Sequence, residues 1–325
     1  ARGEVVPYAV DYARFILIGA PFMTSAFVLN NILRSEGQAT YSMIAMTTGG
    51  ILNLFIDPLL IFTCGMGIAG AALATMLSQI TSFLIMAVIF IRDRSIVRLR
   101  PKYIGRKPSD YLHIVRMGVP TLFRQGMASL SSTLLNIQAA PFGAAAVAAI
   151  SIANKIYMLV RHIVLGVGQG FQPIAGYCFG AKRYSRVKKV FWYATVSMTL
   201  IGLAIAAAIF FFRAPIMAWF RDDPEVVRIG STMLWFLCFT IPLLGFSTYV
   251  NQLYQSLGFA VGATILASCR QGIFFVPLVF LLPALFGLDG ITATQAAADL
   301  LTCLVSIPFL IFFFRKHLSF PDAEE

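Results

Sequence analysis

Asp57 is the only charge between Glu36 and Arg92. If that stretch crosses a membrane, the carboxylate costs roughly 2.5–3.5 kcal/mol even on lenient insertion scales, so it must face protein or water. Asn53 lies one helical turn earlier on the same face, at i, i+4. Pro58 has no N–H, so the carbonyl of Leu54 loses its helical partner and becomes available as a ligand. These are hard oxygen donors, and together they suit a sodium ion or a proton. The bland reading is a carboxylate that only hydrogen-bonds backbone at the proline break. Intramembrane carboxylates are functional candidates by default. We group Asn30, further upstream, with the same cation-coupling site.

A second set of residues could build a binding surface. Thr121, Gln125, Ser129, Ser132 and Asn136 recur at spacings of 4, 4, 3 and 4. At 100° per residue they fall within about 80° of one helix face. Ser247, Asn251 and Gln255 repeat the arrangement later, and Thr24, Asn31 and Ser35 earlier. Such residues line wet clefts, though the same types also hydrogen-bond between membrane helices. Arg124, Lys155, Arg161 and Arg270 lie inside apolar spans, with Asp299 the one acid well inside a span of the second half. Lys155 is the deepest and is expected to pair with Asp299, holding helices together. The other reading is a cation-lined pocket for anionic or zwitterionic substrates. Gln125, Ser132, Asn136, Asn251, Gln255, Lys155 and Asp299 are therefore the candidate substrate-cleft residues.

The elements holding these groups must span a bilayer. Of 325 residues, 58% are hydrophobic and 12% charged, with mean hydropathy +0.81. A soluble domain runs near 25% charged, so an ordinary soluble enzyme is excluded, as is a disordered chain. Nine spans can be drawn, near 11–34, 41–63, 68–91, 112–138, 144–172, 188–212, 230–256, 261–286 and 290–314. Runs of this length are helices, because barrel strands alternate over roughly 10 residues. The connections alternate in charge. Arg34, seven Lys or Arg from Arg92 to Lys107, five from Lys182 to Lys189, and Arg315–Lys316 fall on one side. Uncharged turns at Gly65–Gly67 and Pro141–Gly143 and the balanced Arg213–Arg228 segment fall on the other. The basic side is cytoplasmic. The net charge of +11 thus reports orientation, and no nucleic-acid partner is expected. Five scattered cysteines without a CxxC, and three dispersed histidines, exclude a disulfide framework and a zinc ribbon.

An internal repeat organises the spans. Pro21, Asn30, Ser35 and Gly37 recur as Pro242, Asn251, Ser256 and Gly258; Pro58 recurs as Pro277, and Gly67 and Gly70 as Gly287 and Gly290. The offset stays between 219 and 221 residues. Spans one to three thus repeat as seven to nine, while four to six lack an upstream counterpart. The chain is expected to carry nine helices of twelve. Residues 1–95 form the second half of an N-terminal lobe, 96–111 a basic cytoplasmic connection, and 112–325 a six-helix C-terminal lobe. Pro21, Pro58 and Pro242 are the expected bending points.

These residues also carry a resemblance. Asn31-Ile-Leu-Arg-Ser-Glu-Gly37 resembles the end of the fourth helix of the multidrug and toxic compound extrusion (MATE) family. Asn53-Leu-Phe-Ile-Asp-Pro58 and Gly67-Ile-Ala-Gly-Ala-Ala-Leu-Ala-Thr75 resemble its fifth and sixth helices. Gln169-Gly-Phe-Gln-Pro-Ile-Ala-Gly-Tyr177, with Gly180-Ala-Lys182, resembles its eighth helix and the loop after it. The resemblance covers about Tyr8 to Arg315. It implies an all-α polytopic membrane protein, a two-lobe helical bundle around a central cleft. It also implies export of drugs or toxic metabolites in exchange for sodium ions or protons, with no other cofactor. Asp57 and Asn53 would act with Thr75 and with a first-helix Asp outside this sequence. The second lobe lacks the acidic residues some relatives carry on their seventh and tenth helices. A monomer of the prokaryotic inner membrane is expected, surrounded by lipid and handling small amphipathic compounds. The alternative within the superfamily is a flippase of lipid-linked sugars. An intramembrane enzyme lacks a nucleophile–base pair here, and a passive channel fits poorly with a two-lobe repeat.

Overall fold

In lipid, backbone N–H and C=O groups must be satisfied within their own segment, so long apolar runs fold as helices. The computed structural model describes residues 2–92, 95–97, 105, 107–319 and 321–322, without the side chains of 2–9, 113, 116, 117, 120 and 124. Much of the basic connection after Arg92, and the Arg124 side chain, thus lie outside the described residues. Among those described there are nine α-helices and no strand: α1 (Arg2–Ser35), α2 (Ala39–Pro58), α3 (Gly67–Ile91), α4 (Pro108–Ala139), α5 (Ala144–Gly180), α6 (Tyr184–Phe220), α7 (Pro224–Ser256), α8 (Ala260–Ser268) and α9 (Phe275–His317). Two π-helical segments, Leu59–Thr63 and Cys269–Ile273, follow α2 and α8.

Length decides how these helices map onto membrane crossings. By length and hydropathy seven stretches qualify among the described residues, the last being a 58-residue run, Ala260–His317. At 1.5 Å per residue that run would measure about 87 Å, against a hydrocarbon core of about 30 Å. Gly287 divides it. Its φ of 58° and ψ of −131° lie where essentially only glycine goes, inside what is otherwise α9. The adjoining Gly290 backs onto the Leu282 carbonyl as Gly70 backs onto Leu60 in the earlier turn. The α4 helix fails the hydropathy criterion because its polar stripe and arginines dilute it. Its 32 residues nonetheless reach about 48 Å, more than enough to cross. With Ala260–His317 divided and α4 included, nine crossings follow.

The chain separates into two units, residues 1–106 and 107–325. In the first, α2 and α3 form a tight hairpin whose register is set by close approaches. A Cβ on Gly49 would meet Ser82 Oγ, and one on Gly70 would lie 2.9 Å from the Leu60 carbonyl carbon. The α1 helix packs alongside through Ala26, Leu29 and Leu33 with Met86 and Phe90. In the second unit α7 runs through the middle, packed by α5, α6 and α9. Tyr249, Phe191, Phe275 and Phe313 are its largest fully buried side chains. Where α6 crosses Pro242, a Cβ on Gly202 would lie 3.0 Å from the proline Cα.

The repeat is visible as geometry. Asn30 on α1 accepts a hydrogen bond from Ser42 on α2. Its counterpart Asn251 on α7 donates to the Ala263 carbonyl on α8 at 2.6 Å. Both bonds join residues 12 apart. Equivalent asparagines therefore pin equivalent helix pairs.

Candidate functional site

The first constellation sits at the C-terminal end of α2. Asn53 Nδ2 donates to Asp57 Oδ1 at 3.3 Å, and both side chains are half-buried. The spacing alone enforces this, since i and i+4 stack on one face. Pro58 closes the α-helical ladder, and the chain continues directly into the π turn Leu59–Thr63. Such turns concentrate at functional sites because they break the regular ladder. The hairpin register brings Thr75 level with this turn. Residue 49 opposes 78–82 and residue 60 opposes 70, which places residue 75 across from the Asn53–Asp57 turn. The Thr75 hydroxyl donates to the Ala71 carbonyl at 2.9 Å, leaving its lone pairs available to a cation. Asn30 is a correction. It is 4% exposed and engaged by Ser42, 15 residues before Asp57 on the same helix. That is about 22 Å along the axis. Its polar group is used in pinning α1 to α2, not in the Asp57 site.

The second constellation lies inside the C-terminal unit. Arg270, within the π turn Cys269–Ile273, directs Nε to Asp299 Oδ1 at 2.8 Å. Tyr157 on α5 donates to Asp299 Oδ2 at 2.6 Å and accepts from an Arg270 terminal nitrogen. Gln295, one turn before Asp299, donates to Oδ1 at 3.2 Å. Asp299 is 3% exposed, and its burial is offset by the three side chains that donate to it, those of Arg270, Tyr157 and Gln295. The expected Lys155–Asp299 pair is therefore corrected: Arg270 holds Asp299, and Lys155 is exposed. The reason is rotation. The buried positions of α5 run Ala146, Ile150, Ala153, Tyr157, Val160 and Val164, so residue 157 faces inward. Residue 155, about 200° away, faces out. That same periodicity could have pointed to Tyr157 from the sequence.

The polar stripes divide. On α4, Gln125 is exposed and Ser132 and Asn136 are half-buried. The packed face is one residue off, along Ser131, Leu135 and Ala139, with Ser131 donating to the Gln271 carbonyl at 2.6 Å. On α7, Asn251 is buried and Gln255 half-buried. Pro21 and Pro242 lie inside continuous helices. No group of three or more His, Cys, Asp or Glu side chains able to hold a metal occurs among the described residues.

Comparison with known proteins adds to this geometry. The MatE family model matches residues 1–59 and 120–281. A multidrug export protein MepA of Staphylococcus saprophyticus is 26% identical over 324 residues, covering 100% of this chain and 71% of that protein. One from Staphylococcus aureus is 27% identical with the same coverage. Among solved structures, one described as MATE in complex with MaL6 superposes with a TM-score of 0.89 at 28% identity, covering 97% of this chain and 71% of that one. A transporter of the MOP superfamily from Pyrococcus furiosus, whose description speaks of reverse polarity of the binding pocket, gives 0.89 at 27% identity, with 97% and 71% covered.

Proposed function

The chain belongs to the MatE family of multidrug efflux transporters, and from that premise we propose that it exports small amphipathic compounds in exchange for entering sodium ions or protons. It is a multi-pass membrane transporter of a bacterial cell membrane and not an enzyme. The observation that carries the coupling reading is the Asn53–Asp57 pair set against a π turn inside an otherwise uncharged crossing. Asp57 takes the ion, and Asn53 holds the empty carboxylate in position through its amide N–H. Thr75 Oγ1 and the Leu54 carbonyl freed by Pro58 supply further oxygens of the type that suits sodium. A proton would use Asp57 alone.

The π turn connects binding to movement. A π turn holds one residue more than an α turn, so moving a residue into or out of it rotates the flanking helix by about 100°. Neutralising Asp57 removes the charge that keeps this face turned toward polar surroundings, and the altered α2 then alternates access between the two sides of the membrane. The test is efflux from proteoliposomes containing the full-length protein, with drug loaded at equal concentration on both sides. An imposed inward sodium or proton gradient should drive net drug export, and the gradient that works names the ion. Drug movement indifferent to both gradients would sink the antiport reading.

A further inference from the structure

Three basic residues close α9: Arg315, Lys316 and His317. They do not share a face. At 100° per residue His317 falls with the buried Ser306, Leu310 and Phe313, and its ring centroid lies 4.4 Å from that of Phe259 and 5.1 Å from that of Phe313. Arg315 and Lys316 fall on the opposite face, with Pro308, Ile311 and Phe312. These five exposed residues line a groove of about 440 Å³ along α9. No carboxylate lines it, and neither cation forms an ion pair among the described residues. Asp322, the described acid nearest to them in sequence, accepts instead from the Ser185 amide and hydroxyl. The groove thus presents two cations at one end, without an acidic partner among the described residues, and apolar surface at the other.

Basic residues at a helix end orient a chain without binding anything, so charge alone makes no site. The lining adds a second requirement. Lys316 Nζ lies 5.2 Å from the centroid of the Phe312 ring, which draws the ammonium back along the groove instead of leaving it fully in water. Beyond Pro308 the exposed apolar track continues through Ile307 and Leu304. From Lys316 to Leu304 the helix rises about 18 Å, against about 15 Å for half of a hydrocarbon core, so the track spans one leaflet. The matching ligand is anionic at the membrane surface and apolar for the depth of that leaflet. We propose that this groove binds one anionic phospholipid, with Arg315 and Lys316 taking the phosphate and Pro308, Ile311 and Phe312 packing against an acyl chain. The guanidinium offers a phosphodiester two parallel N–H donors, and the ammonium adds a point charge. A head group with its own ammonium sets a third cation beside these two and is disfavoured. Binding here is independent of the export reading, because no residue of the Asp57 site takes part.

The test uses the full-length protein in phosphatidylcholine nanodiscs doped with a phosphatidylglycerol whose acyl chain carries a diazirine. After photolysis, peptide mass spectrometry should place the label between Leu304 and Lys316, and unlabelled phosphatidylglycerol should displace it. Added phosphatidylcholine with the same chains should not, and neither should glycerol 3-phosphate. Arg315→Gln combined with Lys316→Gln should lower the affinity at this position roughly 30-fold, which corresponds to about 1 kcal/mol for each basic residue. Ile311→Trp fills the groove while keeping both charges, and should also lose the label. The swap Arg315→Lys with Lys316→Arg keeps the charge and should retain it. A thermal melt confirms that each variant is folded. Equal displacement by phosphatidylcholine would reduce the groove to ordinary lipid contact, and displacement by glycerol 3-phosphate would make it a phosphate site without a lipid. Parent-like labelling in the folded double variant, or in Ile311→Trp, would remove the charges or the groove from the site. Any of these results overturns the proposal.

Discussion

Removing the Asp299 carboxylate should unfold the C-terminal unit rather than merely slow transport. The Arg270 and Asp299 side chains are 12% and 2% exposed, so each depends on the other for most of its compensation. Asp299→Ala strands a guanidinium, for which uncompensated burial costs about 3–5 kcal/mol. It also leaves the Tyr157 hydroxyl and the Gln295 amide without their acceptor, adding about 1 kcal/mol or more. A total of about 4–6 kcal/mol is comparable to the whole stability of many domains. The double variant Arg270→Met with Asp299→Leu removes both charges, and replacing such pairs with apolar side chains is often neutral or stabilising. It should recover most of the loss. The measurement is unfolding in mixed micelles for parent, Arg270→Met, Asp299→Leu and the double, closed as a thermodynamic cycle, with Asp299→Ala measured alongside. A coupling energy below about 1 kcal/mol, or a parent-like midpoint for Asp299→Ala, would show that Asp299 is solvated or paired elsewhere.

Asp57 should behave in the opposite way. It is half-buried with one 3.3 Å bond to Asn53, so Asp57→Asn should leave folding and expression intact while gradient-driven efflux falls to background, and parent-rate efflux would make it structural. Asn53→Ala should weaken the dependence on ion concentration without abolishing transport, read from efflux across an ion titration. Gly287→Val places a β-branched residue at φ 58°, a strain of order 1–3 kcal/mol, and should lower the melting midpoint and expose the turn to protease; an unchanged midpoint would argue against the kink. At the C-terminal tail, Asp322 accepts from the Ser185 amide at 2.9 Å and from its hydroxyl, and these bonds hold its carboxyl below the usual range. A depressed carboxylate contributes fully above its ordinary value of about 4 and is lost as pH falls through the lowered one. A spin label at Pro321→Cys should therefore be restrained at neutral pH, be released as pH falls below the ordinary carboxylate range, and be free at all pH values in Asp322→Asn.

The features legible in the amino-acid sequence are those that depend on one helix at a time. Run length and charge alternation determine membrane crossings because hydrocarbon thickness sets a minimum length and basic residues stay on one side. The Asn53–Asp57 pair is equally local, since i, i+4 geometry belongs to any helix. The repeat of Asn30 and Asn251 is visible as spacing, but what those side chains do is not. Packing alone shows that each pins the first helix of its unit's repeat to the second. Partner choice at Asp299 was likewise decided in three dimensions. Lys155 and Arg270 are equally plausible on charge, and the outcome turns on which faces inward. Arg270 lies in the π turn Cys269–Ile273, whose extra residue shifts the phase of the helix after it by about 100°, a step that counting at 3.6 residues per turn cannot anticipate. The same limit moved the packed face of α4 from Ser132 to Ser131. Sequence determines which residues share a helix face, whereas neighbouring helices determine which face is buried and against whom.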